Sequence, residues 1–270
     1  MDLQNIFSKK KKKDPEIYDR LDSRRNVMKQ FGRVMALTAV PFALGSMLKK
    51  AYGRTPSDVL AVLNFALTLE YLEASFYAEA ITHTSLFPTA TSLNAFTTIG
   101  THETAHVAFL KSAITSSSGT PVDKPTFDFT AGGTFSDVFT NYATLLGVAQ
   151  AFEDTGVRAY KGQAATLMEN PTVLTAALQI HSIEARHAAH IRSMRRASTS
   201  NTKIKPWITG SYTDIAATQP VYNGEENEVQ ADITITGIVT QVTQDAATES
   251  FDEPLTKDEA LAIANLFIVQ

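Results

Sequence analysis

The sequence predicts an all-α fold: a four-helix bundle with a long crossover between its second and third helices, then a C-terminal extension with a short strand-like segment and a short helix. Three observations lead there. Four long stretches repeat apolar residues at a helical period. A Glu followed downstream by a Glu-x-x-His pair occurs once in each half of the chain, at closely matching spacing. Between the halves lies a run of Ser, Gly, Pro and Thr without periodicity, long enough to travel the length of a bundle.

The first helix is expected from about Ser57 to Ala80, with Leu63, Leu67, Ala74 and Tyr77 on one face. Glu70 falls inside that apolar stripe, where an acid is costly unless paired or bound to metal. Glu73, one turn further on, is its alternative on the interior face. After a loop holding Pro88, a second helix is expected from about Ser92 to Thr115, with the stripe Ile99, Glu103, His106 and Leu110. Residues 116–134 supply the crossover. The third helix should run from about Ser136 to Met168, with Leu146, Ala149, Glu153, Val157, Tyr160 and Ala164 on one face. Asn170-Pro171 ends it and opens the fourth, which extends to Ala197 with Ile180, Glu184, His187, Ile191 and Met194 inward. Residues 198–228 read as a polar wrap outside the bundle. Val229 to Val242 alternates like one or two short strands, and Thr256-Lys257-Asp258-Glu259 forms a capping box before a helix from Ala260 to Ile268.

At 270 residues and 44% hydrophobic content, the chain can bury a substantial core. It has no cysteine, so disulfides, thiolate metal sites and cysteine nucleophiles are excluded, and any metal must be held by oxygen and nitrogen. Half of the 24 Lys and Arg fall in residues 1–53, which leaves an acidic body with no basic stripe and argues against a nucleic-acid partner. Within 1–53, Ser23-Arg24-Arg25-Asn26-Val27-Met28-Lys29 precedes a moderately apolar run from Val34 to Leu48. This resembles a twin-arginine export signal, with Val27 and Met28 where Phe and Leu are usual. The expectation is a periplasmic or otherwise extracytoplasmic protein, with no stable transmembrane span once the leader is removed. A basic amphipathic helix lying on a membrane is the alternative for this segment.

The chemistry sits in the repeated unit. Glu103 with His106, and Glu184 with His187, are spaced i, i+3, which puts a carboxylate and an imidazole one turn apart on one helix face. Glu70 and Glu153 stand upstream of these pairs, each followed seven residues later by a tyrosine, Tyr77 and Tyr160. Four carboxylates and two imidazoles in one bundle can hold two divalent ions, whose charge the carboxylates balance. The same glutamates could instead pair with Arg158, Arg186 or Arg192. Tyr77 and Tyr160 read as core aromatics, either of which could hydrogen-bond a ligand carboxylate. His102, His181 and His190 read as supporting or surface groups, with His190, one turn beyond His187, the first of these to matter.

The stretches LNFALTLEYLEASFY, IGTHETAHVAFL, AFEDTGVRAYKG and IEARHAAHIRSM resemble the ferritin-like superfamily of di-iron and di-manganese carboxylate proteins. Within it they are similar to the exported family that includes plant desiccation-related proteins. The resemblance covers about residues 56–197. It implies a ferritin-like bundle with a two-metal centre, Glu103 and Glu184 bridging, Glu70 with His106 capping one ion, and Glu153 with His187 capping the other. It further implies two iron ions, with manganese as the alternative, and O2 or peroxide as the small partner, in a protein that could be a homo-oligomer. Redox turnover in metal or oxidative stress is the expected function. Manganese-catalase-type dismutation and a non-enzymatic desiccation-protective role are the rivals.

Overall fold

The structure, a computed structural model, describes residues 56–238 and 242–269. The leader read from residues 1–53 lies outside the described residues. Four long helices dominate: α1 (Pro56–Ala80), α2 (Ala90–Ser116), α3 (Tyr142–Ala164) and α4 (Pro171–Thr199). Short connections join α1 to α2 and α3 to α4, so each pair packs as an antiparallel hairpin. The α1–α3 contact joins the hairpins at the centre, whereas α2 and α4 meet only sparsely. This is the all-α bundle expected from the sequence.

Local chemistry sets the helix ends. Thr89 and Ser92 cap α2 reciprocally, side chain to backbone in both directions. Asn170 accepts from the Val173 backbone ahead of Pro171 at the first turn of α4. The third helix is shorter than its periodicity suggested. Residues 131–140 are turns, and α3 starts only after Asn141, whose side chain accepts from the Ala143 backbone at 3.0 Å. Its C-terminal end tightens into a 3₁₀ turn, Ala165–Leu167, as helix ends often do.

The crossover, residues 117–141, is held by the far end of the chain. Asp128 N donates to Phe267 O at 2.8 Å and Val269 N to Thr126 O at 2.9 Å, around a bridge between Phe127 and Ile268. The tail helix expected over Ala260–Ile268 runs instead over Lys257–Ala264 (α7), because Phe267–Val269 is drawn into that pairing. Its predicted capping box is present, with Thr256 and Glu259 bonding reciprocally. Two short helices, α5 (Gln219–Tyr222) and α6 (Gln244–Thr248), precede it. The alternating segment forms only a two-residue hairpin, β1 (Val229–Gln230) on β2 (Ile233–Thr234), in the register Val229 to Thr234. Ile233 and Ile238 are exposed, so the alternation buries no face; residues 239–241 lie outside the described residues.

The tail explains why α3 is buried on every side from Leu145 to Tyr160. One face meets α1 and α4; the other meets the tail. Arg158, fully buried, donates to the carbonyls of Val221, Asn223 and Glu253 and pairs with Glu225 at 2.7 Å. Asp154 receives Arg192 at 2.9 and 2.6 Å and the Tyr222 hydroxyl at 2.8 Å. Polar residues on the outer face of α3 are thus satisfied by the extension. Asp58–Ala80 is long and apolar enough to cross a membrane by length and composition, yet most of it is buried in this bundle.

The extension passes close to α3 at Gly162: a Cβ there would sit 1.8 Å from the Leu255 carbonyl oxygen. Alanine favours a helix over glycine by about 1 kcal/mol, but a forced shift of backbone costs roughly 1–3 kcal/mol. Gly162→Ala is therefore expected to lower the thermal midpoint and to make the segment around Leu255 cleavable in limited proteolysis while the bundle stays helical. An unchanged midpoint with an uncut tail would contradict this packing.

Candidate metal centre

The core is divided in two by a layer of ionisable side chains. One apolar cluster gathers Phe76, Phe96 and Phe152 at the Tyr77 end of the bundle; the other gathers Leu63, Leu67 and Ile180 at the Tyr160 end. Between them, α1 contributes Glu70 and Glu73, α2 Glu103 and His106, α3 Glu153, and α4 Glu184 and His187. Glu70, Glu103, Glu153 and Glu184 are 0% exposed. Their burial follows from the sequence, since each occupies an inward position of an apolar stripe.

The six residues singled out in the repeat come together. His106 Nδ1 lies 3.1 Å from Glu70 Oε2, 3.0 Å from Glu103 Oε2 and 3.2 Å from Glu184 Oε1. His187 Nδ1 lies 2.7 Å from Glu103 Oε1 and 3.2 Å from Glu153 Oε2. A single ring N–H cannot serve so many oxygens at once. Glu103 Oε1, Glu153 Oε2, both Glu184 oxygens and His187 Nδ1 are buried without a hydrogen-bond partner. Among the described residues, two groups offer ligand atoms within 4.8 Å of one another: Glu70, Glu103, His106 and Glu184; and Glu103, Glu153, Glu184 and His187. Glu103 and Glu184 belong to both. The orphaned oxygens and the all-O/N donor set fit a dinuclear metal site.

The arginine alternative does not hold. Arg158 and Arg192 are turned to the tail and to Asp154, Arg186 is exposed, and among the described residues no Lys or Arg pairs with these glutamates. Arg158 therefore does not adjoin the site. The tyrosines do, and crosswise: Tyr77 of α1 donates to Glu153 Oε1 of α3, while Tyr160 of α3 donates to Glu70 Oε1 of α1 at 2.5 Å. Each tyrosine follows one glutamate in sequence and holds the other in space.

Glu73, the alternative to Glu70, belongs to neither ligand group. It is buried beside the cluster, and its repeat equivalent, seen by aligning Glu70 with Glu153, is Gly156. A Cβ on Gly156 would stand 3.0 Å from both Glu73 Oε1 and Glu184 Oε2, so the missing side chain leaves their room. Of the three remaining histidines considered, His102 reaches the site and His190 does not. His102 Nδ1 lies 2.9 Å from His187 Nε2 with the rings nearly parallel, which orients His187 toward the carboxylates. His190 is exposed, and His181 contacts the Val157 carbonyl. The i, i+3 spacing from Glu70 pointed to Glu73. Only the sparse α2–α4 contact places His102.

The electrostatics are those of carboxylates competing for too few protons. Burial pushes Glu70 up to about 7 against the pull of His106. Burial and then the neighbouring carboxylates push Glu73 and Glu184 well above the usual range. Glu103 goes the other way: burial would raise it, but the His106 hydrogen bond and the adjacent His187 imidazole hold it at about 2. Burial alone would lower both imidazoles, yet the carboxylates win, taking His187 up to about 11 and His106 higher still. At neutral pH the metal-free site thus stores protons on both imidazoles and on carboxylates, and a bound ion must displace them. Titration calorimetry at pH 7 in two buffers of different ionisation heat is expected to show on the order of two or more protons released per pair of ions, with affinity falling as pH falls. Binding without proton release would contradict this electrostatic account.

No curated protein matches the chain. A family model described as a ferritin-like domain matches residues 58–197, more than half of the 270 residues, and the matched span holds all but the outermost residues of the four helices and every residue of the cluster. The chain belongs to the ferritin-like domain family.

Proposed function

We propose that this chain is a dinuclear metal protein of redox function, turning over O2 or peroxide. The observation that carries the reading is the pair of ligand groups sharing Glu103 and Glu184. In this reading those two carboxylates would be shared by both ions, with Glu70 and His106 holding one and Glu153 and His187 holding the other. Iron is the favoured metal, with manganese the alternative. Two such ions supply a redox couple able to pass electrons to an oxidant. The protein's own part is to keep the couple dry and positioned. Tyr77 and Tyr160 fix the capping carboxylates Glu153 and Glu70, His102 fixes His187, and apolar layers on both sides exclude water. The twin-arginine-like leader supports an extracytoplasmic setting, since that route carries folded, already loaded proteins.

Ferrous-loaded protein mixed with O2 or with hydrogen peroxide is expected to oxidise at a rate that falls about a hundredfold or more in Glu103→Ala. Oxygen release from peroxide by manganese-loaded protein, with no reductant present, would instead identify dismutation. Metal bound in both forms without any turnover would overturn the redox reading in favour of a structural centre.

A further inference from the structure

The two halves of the bundle repeat each other in sequence but not in packing. Aligning Glu70 with Glu153 and Glu103 with Glu184 sets Phe152 opposite Leu69, Phe76 opposite Ala159, and Phe96 opposite Ala177. At the Tyr77 end the phenylalanines fill the space beside the cluster, with Phe76 and Phe152 edge-on at 5.1 Å and Phe96 against Tyr77 at 5.1 Å. At the Tyr160 end Leu69, Ala159 and Ala177 line a cavity instead, with about 20 Å³ of room for the centre of a water-sized molecule. One water needs roughly 10–15 Å³ on that measure. The cavity walls expose no polar atom. Tyr160 stands in the wall, and its hydroxyl is bonded to Glu70, so a single side chain separates the cavity from the carboxylates. Half-buried Phe109 and Gln163 lie on its outer side.

An apolar space of this kind offers water no hydrogen-bond partner and takes small non-polar guests such as xenon. Hydrated cations and hydrogen peroxide would forfeit hydrogen bonds there with no replacement. We propose that the cavity beside Tyr160 is the space through which dioxygen binds and enters the metal centre. The proposal rests on the redox reading above and deepens it, naming O2 as the oxidant that this route admits. In the reaction it serves, two ferrous ions each give one electron, and O2 takes up two electrons and two protons to leave as hydrogen peroxide.

The repeat itself supplies the test, because Ala159→Phe and Ala177→Phe rebuild the packing of the opposite end. Ala177→Leu is the milder form should a phenylalanine disturb folding. Crystals of the metal-loaded protein under xenon pressure should show xenon in the cavity of the wild type and none in the filled variants. With metal content unchanged, oxidation of the ferrous centre by O2 should slow about tenfold in the filled variants and less in Ala177→Leu, while oxidation by peroxide stays within about twofold. A wild-type cavity without xenon, or an O2 rate indifferent to filling, overturns the route alone. Equal losses with O2 and peroxide overturn it too, as the mark of a damaged centre. A ferrous wild-type centre inert to both oxidants overturns the redox reading together with the route.

Discussion

Everything in this bundle answers to one constraint: five buried carboxylates and two imidazoles share one layer, His106 alone of them partly exposed, with no lysine or arginine partner among the described residues. An uncompensated buried charge costs several kcal/mol, against a total stability of about 5–15 kcal/mol for a domain. The layer therefore has to hold protons or cations. The opposed behaviour of its members follows, with Glu103 kept ionised by two imidazoles while Glu184 and Glu73 are driven toward the protonated state. Five carboxylates exceed the four charges of two divalent ions by one, and Glu73 is the group without a counterpart in the other half.

The bundle gives that layer its shape by repetition with cross-bracing. Each hairpin supplies one glutamate from its first helix and a Glu-x-x-His pair from its second, and the α1–α3 contact lets each tyrosine brace the other hairpin's glutamate. The extension then completes the bundle's outside. Arg158 takes its partners from the tail, Glu225 and the Val221 carbonyl, while Asp154, paired with Arg192 of α4, also receives the Tyr222 hydroxyl. The tail packs onto the helix bearing Glu153 without contributing a carboxylate or imidazole to either ligand group.

The six ligand-type residues were legible in the sequence because helical geometry converts i, i+3 spacing into a shared face, and because the pattern occurs twice. Glu73 was half legible: its spacing from Glu70 marked the interior face, but only the gap at Gly156 shows that both fit at once. His102 was legible only as one of three supporting or surface histidines, since it lies off the inward stripe and meets His187 across helices distant in sequence. The start of α3 was misread because apolar periodicity continues into residues 136–141, where Asn141 caps the helix and the chain ahead of it turns. Nor does a single apolar stripe reveal that α3 is covered on all sides, which depends on partners from the far end of the chain.

The measurement that bears most directly on the central claim is elemental analysis of protein purified from its native compartment without added metal, beside the Glu103→Ala, Glu184→Ala double variant. The shared position of these two carboxylates in both ligand groups predicts about two equivalents of iron or manganese in the wild type and loss of both in the variant. Less than about 0.2 equivalents in the native protein would contradict a resident dinuclear centre.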